Sequence, residues 1–434
     1  VPAASIPTLG SITSGSAAPA ETTELNPPVW LPGTPRTLDE LDVPENMVFD
    51  LAVRHVSLRG VATIHLLADL LKLSLELTEA VFRRLNDRHH FEVQRTSGDD
   101  YVFSLSPSGR KMAAERAVSS RYAGPAPVSL ESWKTAVRAQ VANVRATRAR
   151  LSAAFSDIVV SPRLLDALGP ALISQRSIFL YGPSGAGKTT IAERLARAFD
   201  DAVVVPYAIE TDGQIITLAD PAVHEAIVFD GLDVDPRWMV CRRPFVAAGG
   251  ELDPGMLDLQ RDETTGTIVA PLQMKANNGI LLIDDLGRQR MPPRDLLNRW
   301  IVPLDRRIDF LSLGGTGKFE IPFDLMVVFS TNLQPHELAD EAFLRRLPNK
   351  ILVAGIDAEA FDAILRLSAA AAGMECEPDS AEYLRELCLR HSSGLRACFP
   401  RDICAAIRAI ALYEERRPTL ARADLERAVA GYFV

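Results

Sequence analysis

Gly182-Pro-Ser-Gly-Ala-Gly-Lys188-Thr189-Thr190 decides the reading of this chain. The spacing is G-x4-G-K-[ST], and the context agrees with it. Ser177-Ile-Phe-Leu-Tyr181 in front reads as a buried strand, and Lys188–Phe199 behind it as a helix. Glycines let the backbone curl until its N–H groups point inward at phosphate oxygens, and the start of the helix adds partial positive charge. Gly182, Pro183, Ser184, Gly185, Ala186, Gly187, Lys188, Thr189 and Thr190 are therefore the candidate nucleotide-binding residues. Lys188 is expected to reach the β- and γ-phosphates, and the Thr189 hydroxyl to ligate Mg²⁺.

Further along, Gly279-Ile-Leu-Leu-Ile-Asp284-Asp285 reads as an apolar strand ending in paired carboxylates. Asp284 is expected to hold Mg²⁺ through water, and Asp285 to orient and deprotonate an attacking water.

These residues carry a resemblance. Residues from about 155 to 434 resemble an AAA+ ATPase module: a parallel α/β core over 156–356 and a helical lid over 357–434. Three further stretches are similar to its pattern. Phe323-Asp-Leu-Met-Val-Val-Phe-Ser-Thr-Asn332 resembles the sensor-1 strand, with Asn332 helping to place the lytic water. Glu341-Ala-Phe-Leu-Arg345-Arg346 resembles the end of the arginine-finger helix. Phe399-Pro-Arg401-Asp-Ile resembles the start of the sensor-2 helix, which implies Arg401 near the γ-phosphate. A finger acts on the neighbouring subunit's ATP, so Arg345 or Arg346 in that role implies a self-assembled ring, usually hexameric. The resemblance is imperfect. The family's second acid is usually Glu, and here it is Asp285, one methylene shorter. The distance between the two nucleotide motifs is also long, which implies an insertion within about 203–275.

Within that insertion, Ala202–Glu210 and Gly213–Leu218 read as a hairpin about Thr211-Asp212-Gly213. The basic aromatic stretch Pro236–Phe245 has two readings. Trp238 or Phe245 grips a threaded chain in a ring pore while Arg242 and Arg243 track phosphates, or these residues are local core and solvated charge. A second hairpin, Ile308–Leu313 with Lys318–Phe323, precedes the sensor-1 strand. It is similar to the pre-sensor-1 hairpin of the MoxR-type, magnesium-chelatase and enhancer-binding-activator branches, and Lys275-Ala-Asn-Asn-Gly-Ile also resembles theirs. A GAFTGA-like loop is absent, so transcription activation is not expected. Four helices are expected after residue 356, near 357–371, 379–391, 401–414 and 421–431.

The rest of the chain sets the domain plan. Its 434 residues exceed one compact domain of roughly 100–200 residues. Residues 1–36 are rich in Ala, Ser, Thr and Pro and are expected to be an unstructured leader. Order is expected from Thr37-Leu-Asp-Glu40, a capping-box spacing. Helices near 44–57, 62–71 and 75–89 and strands Phe91–Arg95 and Tyr101–Leu105 follow, then a helix opened by Ser106-Pro107. This order resembles a winged-helix domain over 37–122. Its third helix carries Arg83, Arg84 and Arg88 interleaved with Glu76, Glu79 and Asp87, so duplex contact is expected to be weak. Residues 123–155 form a connecting segment. Over 129–155 it reads as one helix with the stripe Trp133, Val137, Val141 and Val144, and with Arg138, Arg145, Arg148 and Arg150 unbalanced by local acids.

Charge is 47 Lys and Arg against 56 Asp and Glu, net −9, which excludes a basic nucleic-acid coat. No apolar run is long enough to span a membrane. Five cysteines form no CxxC pair and read as reduced thiols of a cytoplasmic protein. The functional expectation is an ATP- and Mg²⁺-dependent AAA+ ring that remodels a protein partner. Two alternatives stand beside it: a DNA-acting ATPase that holds duplex through the winged helix, and a nucleotide-gated interaction switch with slow hydrolysis.

Overall fold

The computed structural model describes residues 25–433 apart from 99, 118–119, 142–146, 264–265, 314–316, 339–340 and 377. At its centre is a five-stranded parallel sheet in the order Phe245–Ala248, Ile280–Ile283, Met326–Thr331, Ile178–Tyr181, Asn349–Leu352. Its middle strands are apolar over most of their length, as a parallel sheet buried on both faces requires, and polar residues enter only at their ends. Ile178, Leu180, Ile280, Leu282, Met326 and Val328 pack on one face with Ile191, Ala192 and Leu195 of the helix Lys188–Ala196. Phe179, Leu281, Ile283, Val327 and Phe329 pack on the other with Trp300 and Phe323. The topology is that of a P-loop AAA+ core. Beyond it, helices Ala358–Ala371, Pro378–His391, Cys398–Tyr413 and Arg422–Tyr432 enclose a separate apolar centre. They agree with the four expected spans to within three residues at each boundary.

The insertion is smaller than expected, because Phe245–Ala248 is an edge strand of the core sheet. Ala208–Thr211 and Gln214–Thr217 form the hairpin about Asp212-Gly213. Ala202–Pro206 does not continue it but pairs antiparallel with Trp238–Arg242. Val128–Ser129 and Ile268–Val269 extend the hairpin on its two sides. The resulting wall buries Trp133, Val204, Ile216 and Trp238 in one cluster. The pre-sensor hairpin also forms, Ile308–Ser312 against Lys318–Pro322.

In the N-terminal part, helices Glu45–Arg59, Ile64–Leu71 and Leu75–Asp87 pack on an antiparallel sheet of Val61–Thr63, Asp100–Leu105 and Phe91–Ser97, in that order. Ser106 caps the next helix, Pro107–Ala117, through Gly109 N–H. Ala208 and Ile215 of the insertion belong to this apolar centre. Arg237, 4% exposed, fastens the two parts. Its guanidinium donates to Asp235, to Asp42 at 2.8 Å and to the Pro127 carbonyl at 3.1 Å.

Three expectations need correction. Residues 1–24 lie outside the described residues, but 25–36 are ordered. Asn26 bridges Asp200 and Ala202 through its backbone, and Trp30 packs edge-on against Trp238 at 5.9 Å. The capping box at Thr37 does not form. Leu38–Glu40 is one 3-10 turn, and the Glu40 carboxylate accepts from Arg36 N–H instead. The connecting helix is two helices, Leu130–Ala139 and Arg148–Ala154. Trp133 and Val137 are buried as expected while Val141 is exposed; Val144 and Arg145 lie outside the described residues. Distant acids balance the basic residues: Arg148 pairs with Asp166, Arg150 with Asp200 at 2.6 Å, and Arg138 faces Asp324.

Candidate functional site

The phosphate loop leaves the end of the strand Ile178–Tyr181 and returns into Lys188–Ala196. Two of its glycines are sterically required. At Gly182, with φ +147°, a Cβ would lie 2.1 Å from the Val353 carbonyl oxygen. At Gly185, with φ +77°, it would lie 2.4 Å from Cys398 Sγ. Lys188 is 6% exposed. Its ammonium folds back to donate to the Gly182 and Pro183 carbonyls, each at 3.0 Å. Burial pushes its pKa below the ordinary lysine value, against the attraction of Asp285 and Asp284, and Arg396 adds to the lowering.

Thr189 and the acid strand meet across the sheet. The Thr189 hydroxyl donates to Asp284 Oδ2 at 2.7 Å, and Asp285 N–H donates to Asp284 Oδ1 at 3.0 Å. Gln289 donates to the Asp284 carbonyl at 2.7 Å and steadies the turn. Asp285 sits in the left-handed region, φ +49°, with its carboxylate exposed to the cleft. Among the described residues no cluster of three or more His, Cys, Asp or Glu side chains fits a metal ion. Mg²⁺ does not need one, because it is commonly held by one or two protein oxygens with phosphates and retained waters. Thr189 and Asp284 fit that donor set.

The cleft has a volume of about 1360 Å³. The loop from Ser184 to Thr190 and both acids line it on the core side, and Cys398, Arg401 and Arg408 on the lid side. Ile158, Val160, Leu164, Ile364 and Leu412 supply apolar lining, the kind of surface a base packs against. The lid rests directly on the loop. Cys398 N–H donates to the Gly185 carbonyl at 3.1 Å, and the Arg396 guanidinium to the Ser184 carbonyl at 3.2 Å. Arg401 lines the cleft with a largely exposed side chain, paired among the described residues only with its neighbour Asp402 at 3.2 Å. Such a pair contributes little, so Arg401 is free to turn toward a ligand.

The other expected residues separate. Asn332 stands just past the strand Met326–Thr331 and is exposed, outside the lining of the cleft. Arg345 and Arg346 follow the single turn Glu341–Leu344. Arg346 is held by Asp305 at 2.7 Å. Arg345 is exposed; its backbone N–H donates to the Glu341 carbonyl at 3.2 Å, and its guanidinium has no hydrogen bond or ion pair among the described residues. The pore-gripping reading of the insertion fails on burial. Trp238 and Arg243 are 5% and 6% exposed, and Arg243 is bonded to Asp201 and to the Gln140 and Asn278 carbonyls. Phe245 pairs with Ile280 in the core sheet, and Arg242 is tied to Glu225 at 3.2 Å. The sequence reading missed Arg396, Gln289 and Ser330. Arg396 was detectable only as a second arginine close before Arg401.

Residues 177–347 match the family profile described as "AAA domain (dynein-related subfamily)". Over that stretch the chain folds as an AAA+ domain. The lid, residues 357–431, matches a domain of unknown function. No curated protein matches the sequence significantly. Solved structures that resemble it include NtrX from Brucella abortus in complex with ATP, at 18% identity, TM-score 0.39, over 62% of this chain and 56% of that one. NtrX in complex with ADP aligns at 16% identity, TM-score 0.39, over 74% and 66%. The chain thus spans less than two thirds of the NtrX chains it matches. No helix among the described residues is long and apolar enough to cross a membrane.

Proposed function

We propose that this chain binds and hydrolyses Mg-ATP in the cleft between core and lid, and that it works as a ring, hexameric as in most AAA+ assemblies, which remodels a protein partner. One observation carries the reading: Lys188, Thr189, Asp284 and Asp285 converge at one end of a cleft whose lid already touches the phosphate loop. Bound Mg²⁺ supplies charge neutralisation on the β- and γ-phosphates. The chain supplies the rest. Lys188 exchanges its two carbonyl partners for phosphate oxygens. Thr189 and Asp284 are the groups that hold the metal. Asp285 accepts the proton of the attacking water, with Asn332, exposed just past the sensor strand, as its positioning partner. Arg401 and Arg396 couple phosphate occupancy to the lid. Arg345 is the finger that reaches the adjacent subunit's nucleotide, because Arg346 is already occupied.

Protein remodelling is favoured over duplex action. The order helix, strand, two helices, two strands supports a winged helix in the N-terminal part. Its third helix, however, interleaves its cations with acids, so its local charge is nearly balanced and offers little phosphate neutralisation: Arg83 lies beside Glu79 and Arg84 beside Glu45, while Arg88 lies over the Phe49 ring. The pre-sensor hairpin supports a place near the MoxR and magnesium-chelatase branches. All five cysteines are free thiols, which fits a reducing, cytoplasmic setting. The test is equilibrium binding of a fluorescent ATP analogue to wild type and Lys188→Ala. Micromolar binding by the wild type and its loss in the variant are expected. Equal affinity in both removes the assignment.

A further inference from the structure

Strand alternation sorts the sensor strand into two faces. Met326 and Val328 lie on the face that packs under the phosphate-loop helix, and Ser330 is the next residue outward on that face. In register it pairs with Leu180, two residues before Gly182. On the other side its carbonyl accepts Leu286 N–H at 2.7 Å, just beyond the paired acids. Ser330 therefore sits on the strand between the phosphate-loop strand and the acid strand, with its side chain on the face toward the phosphate-loop helix. It lines the cleft together with Lys188, Thr189, Asp284 and Asp285.

Ser330 is 1% exposed, and its hydroxyl has no hydrogen-bond partner among the described residues. Along its own strand its neighbours on this face, Val328 and Met326, are apolar and fill their positions without polar atoms. A buried hydroxyl left unpaired is unfavourable relative to alanine. Unpartnered buried polar groups in a folded protein usually mark a ligand, water or ion that completes them. Asp284 is already served on both oxygens, by Thr189 and by Asp285 N–H. A further donor and acceptor at this point is suited to the water shell that Mg²⁺ retains when few protein oxygens bind it.

Resting on the Mg-ATP reading above, we propose that Ser330 is a positioning residue of the site, whose hydroxyl orders a metal-bound water beside Asp284. It neither attacks nor transfers a proton. Its role is to fix the hydration shell that the sheet ends present to the phosphates.

The test compares wild type and Ser330→Ala as full chains. Three quantities are read: the ligand-free melting temperature, the affinity for N-methylanthraniloyl-ATP in EDTA, and the MgCl₂ concentration that half-saturates its Mg-dependent binding. The melting temperature should stay the same or rise, because an unpaired buried hydroxyl is removed. Affinity in EDTA should be unchanged. The half-saturating Mg²⁺ concentration should rise about threefold to tenfold, the value of one hydrogen bond. An unchanged Mg²⁺ midpoint overturns the proposal, and so does a fall of several degrees in melting temperature, which would give the hydroxyl a structural partner. Wild-type protein that binds no ATP removes the nucleotide reading and this one with it; binding with an unmoved midpoint removes this one alone.

Discussion

Replacing Arg237 with alanine should unfasten the N-terminal part from the ATPase core. The Arg237 side chain is 5% exposed, and its partners Asp235 and Asp42 are 2% and 24% exposed. Burial opposes ionisation of Asp42, but the charge of Arg237 and hydrogen bonds from Ser132 and Ser129 N–H hold its pKa below the ordinary carboxylate value. Removing the guanidinium strands two carboxylates and the Pro127 carbonyl. Breaking a buried pair from one side costs about 3–5 kcal/mol, whereas an exposed pair would cost about 0–1 kcal/mol. Tryptophan fluorescence is well placed to report the change, since Trp30, Trp133 and Trp238 lie in the cluster beside Arg237 and only Trp300 is in the core. In urea, Arg237→Ala should shift the fluorescence transition by that larger amount. The triple variant Asp42→Asn, Asp235→Asn, Arg237→Met should recover most of it. A loss below about 1 kcal/mol in the single variant would refute the buried anchor.

The two candidate fingers should part company. Arg345→Ala should lower turnover about 10³-fold with ATP affinity retained. Arg346→Ala should mainly loosen the contact to Asp305, costing about 1 kcal/mol or less given that carboxylate's exposure; equal turnover losses in both would contradict the assignment. Asp285→Glu should keep or raise turnover and Asp285→Asn abolish it in single-turnover assays, and a Glu variant as dead as Asn would show that the shorter side chain is required. Stability should also depend on pH. Burial holds His55 and His224 below the ordinary value of 6.5. The unfolded chain therefore binds more protons as pH falls through that value, and stability present above it is lost below it. Thermal melts from pH 7.5 to 5 should fall, and His224→Gln should flatten part of the slope.

The phosphate loop, its strand and helix, the acid strand and the four lid helices were legible because each rests on local pattern. A continuous apolar run, a glycine turn or a 3.6-residue stripe needs no distant partner to be recognised. What the sequence did not disclose depends on partners far along the chain. Ala202–Pro206 looked like half of a hairpin, yet its register is set by Trp238–Arg242. The arginines of the connecting segment looked unbalanced because Asp166, Asp200 and Asp324 supply their counter-charge from elsewhere. Asn26 and Trp30 sit in an otherwise low-complexity stretch, and docking against Asp200, Ala202 and Trp238 holds residues 25–36 in place. Arg345 and Arg346 are adjacent and chemically identical, and Asp305 tells them apart. Ser330 is unremarkable in sequence, and its missing partner is visible only in three dimensions.

The central claim is an ATP site completed by a neighbouring subunit. Steady-state ATP turnover against protein concentration tests it most directly, with and without duplex DNA at fixed salt. Specific activity should rise with concentration to a plateau, be unaffected by DNA, and stay at its low-concentration floor in Arg345→Ala. Turnover proportional to protein at every concentration, with Arg345→Ala as active as wild type, would contradict a finger supplied in trans.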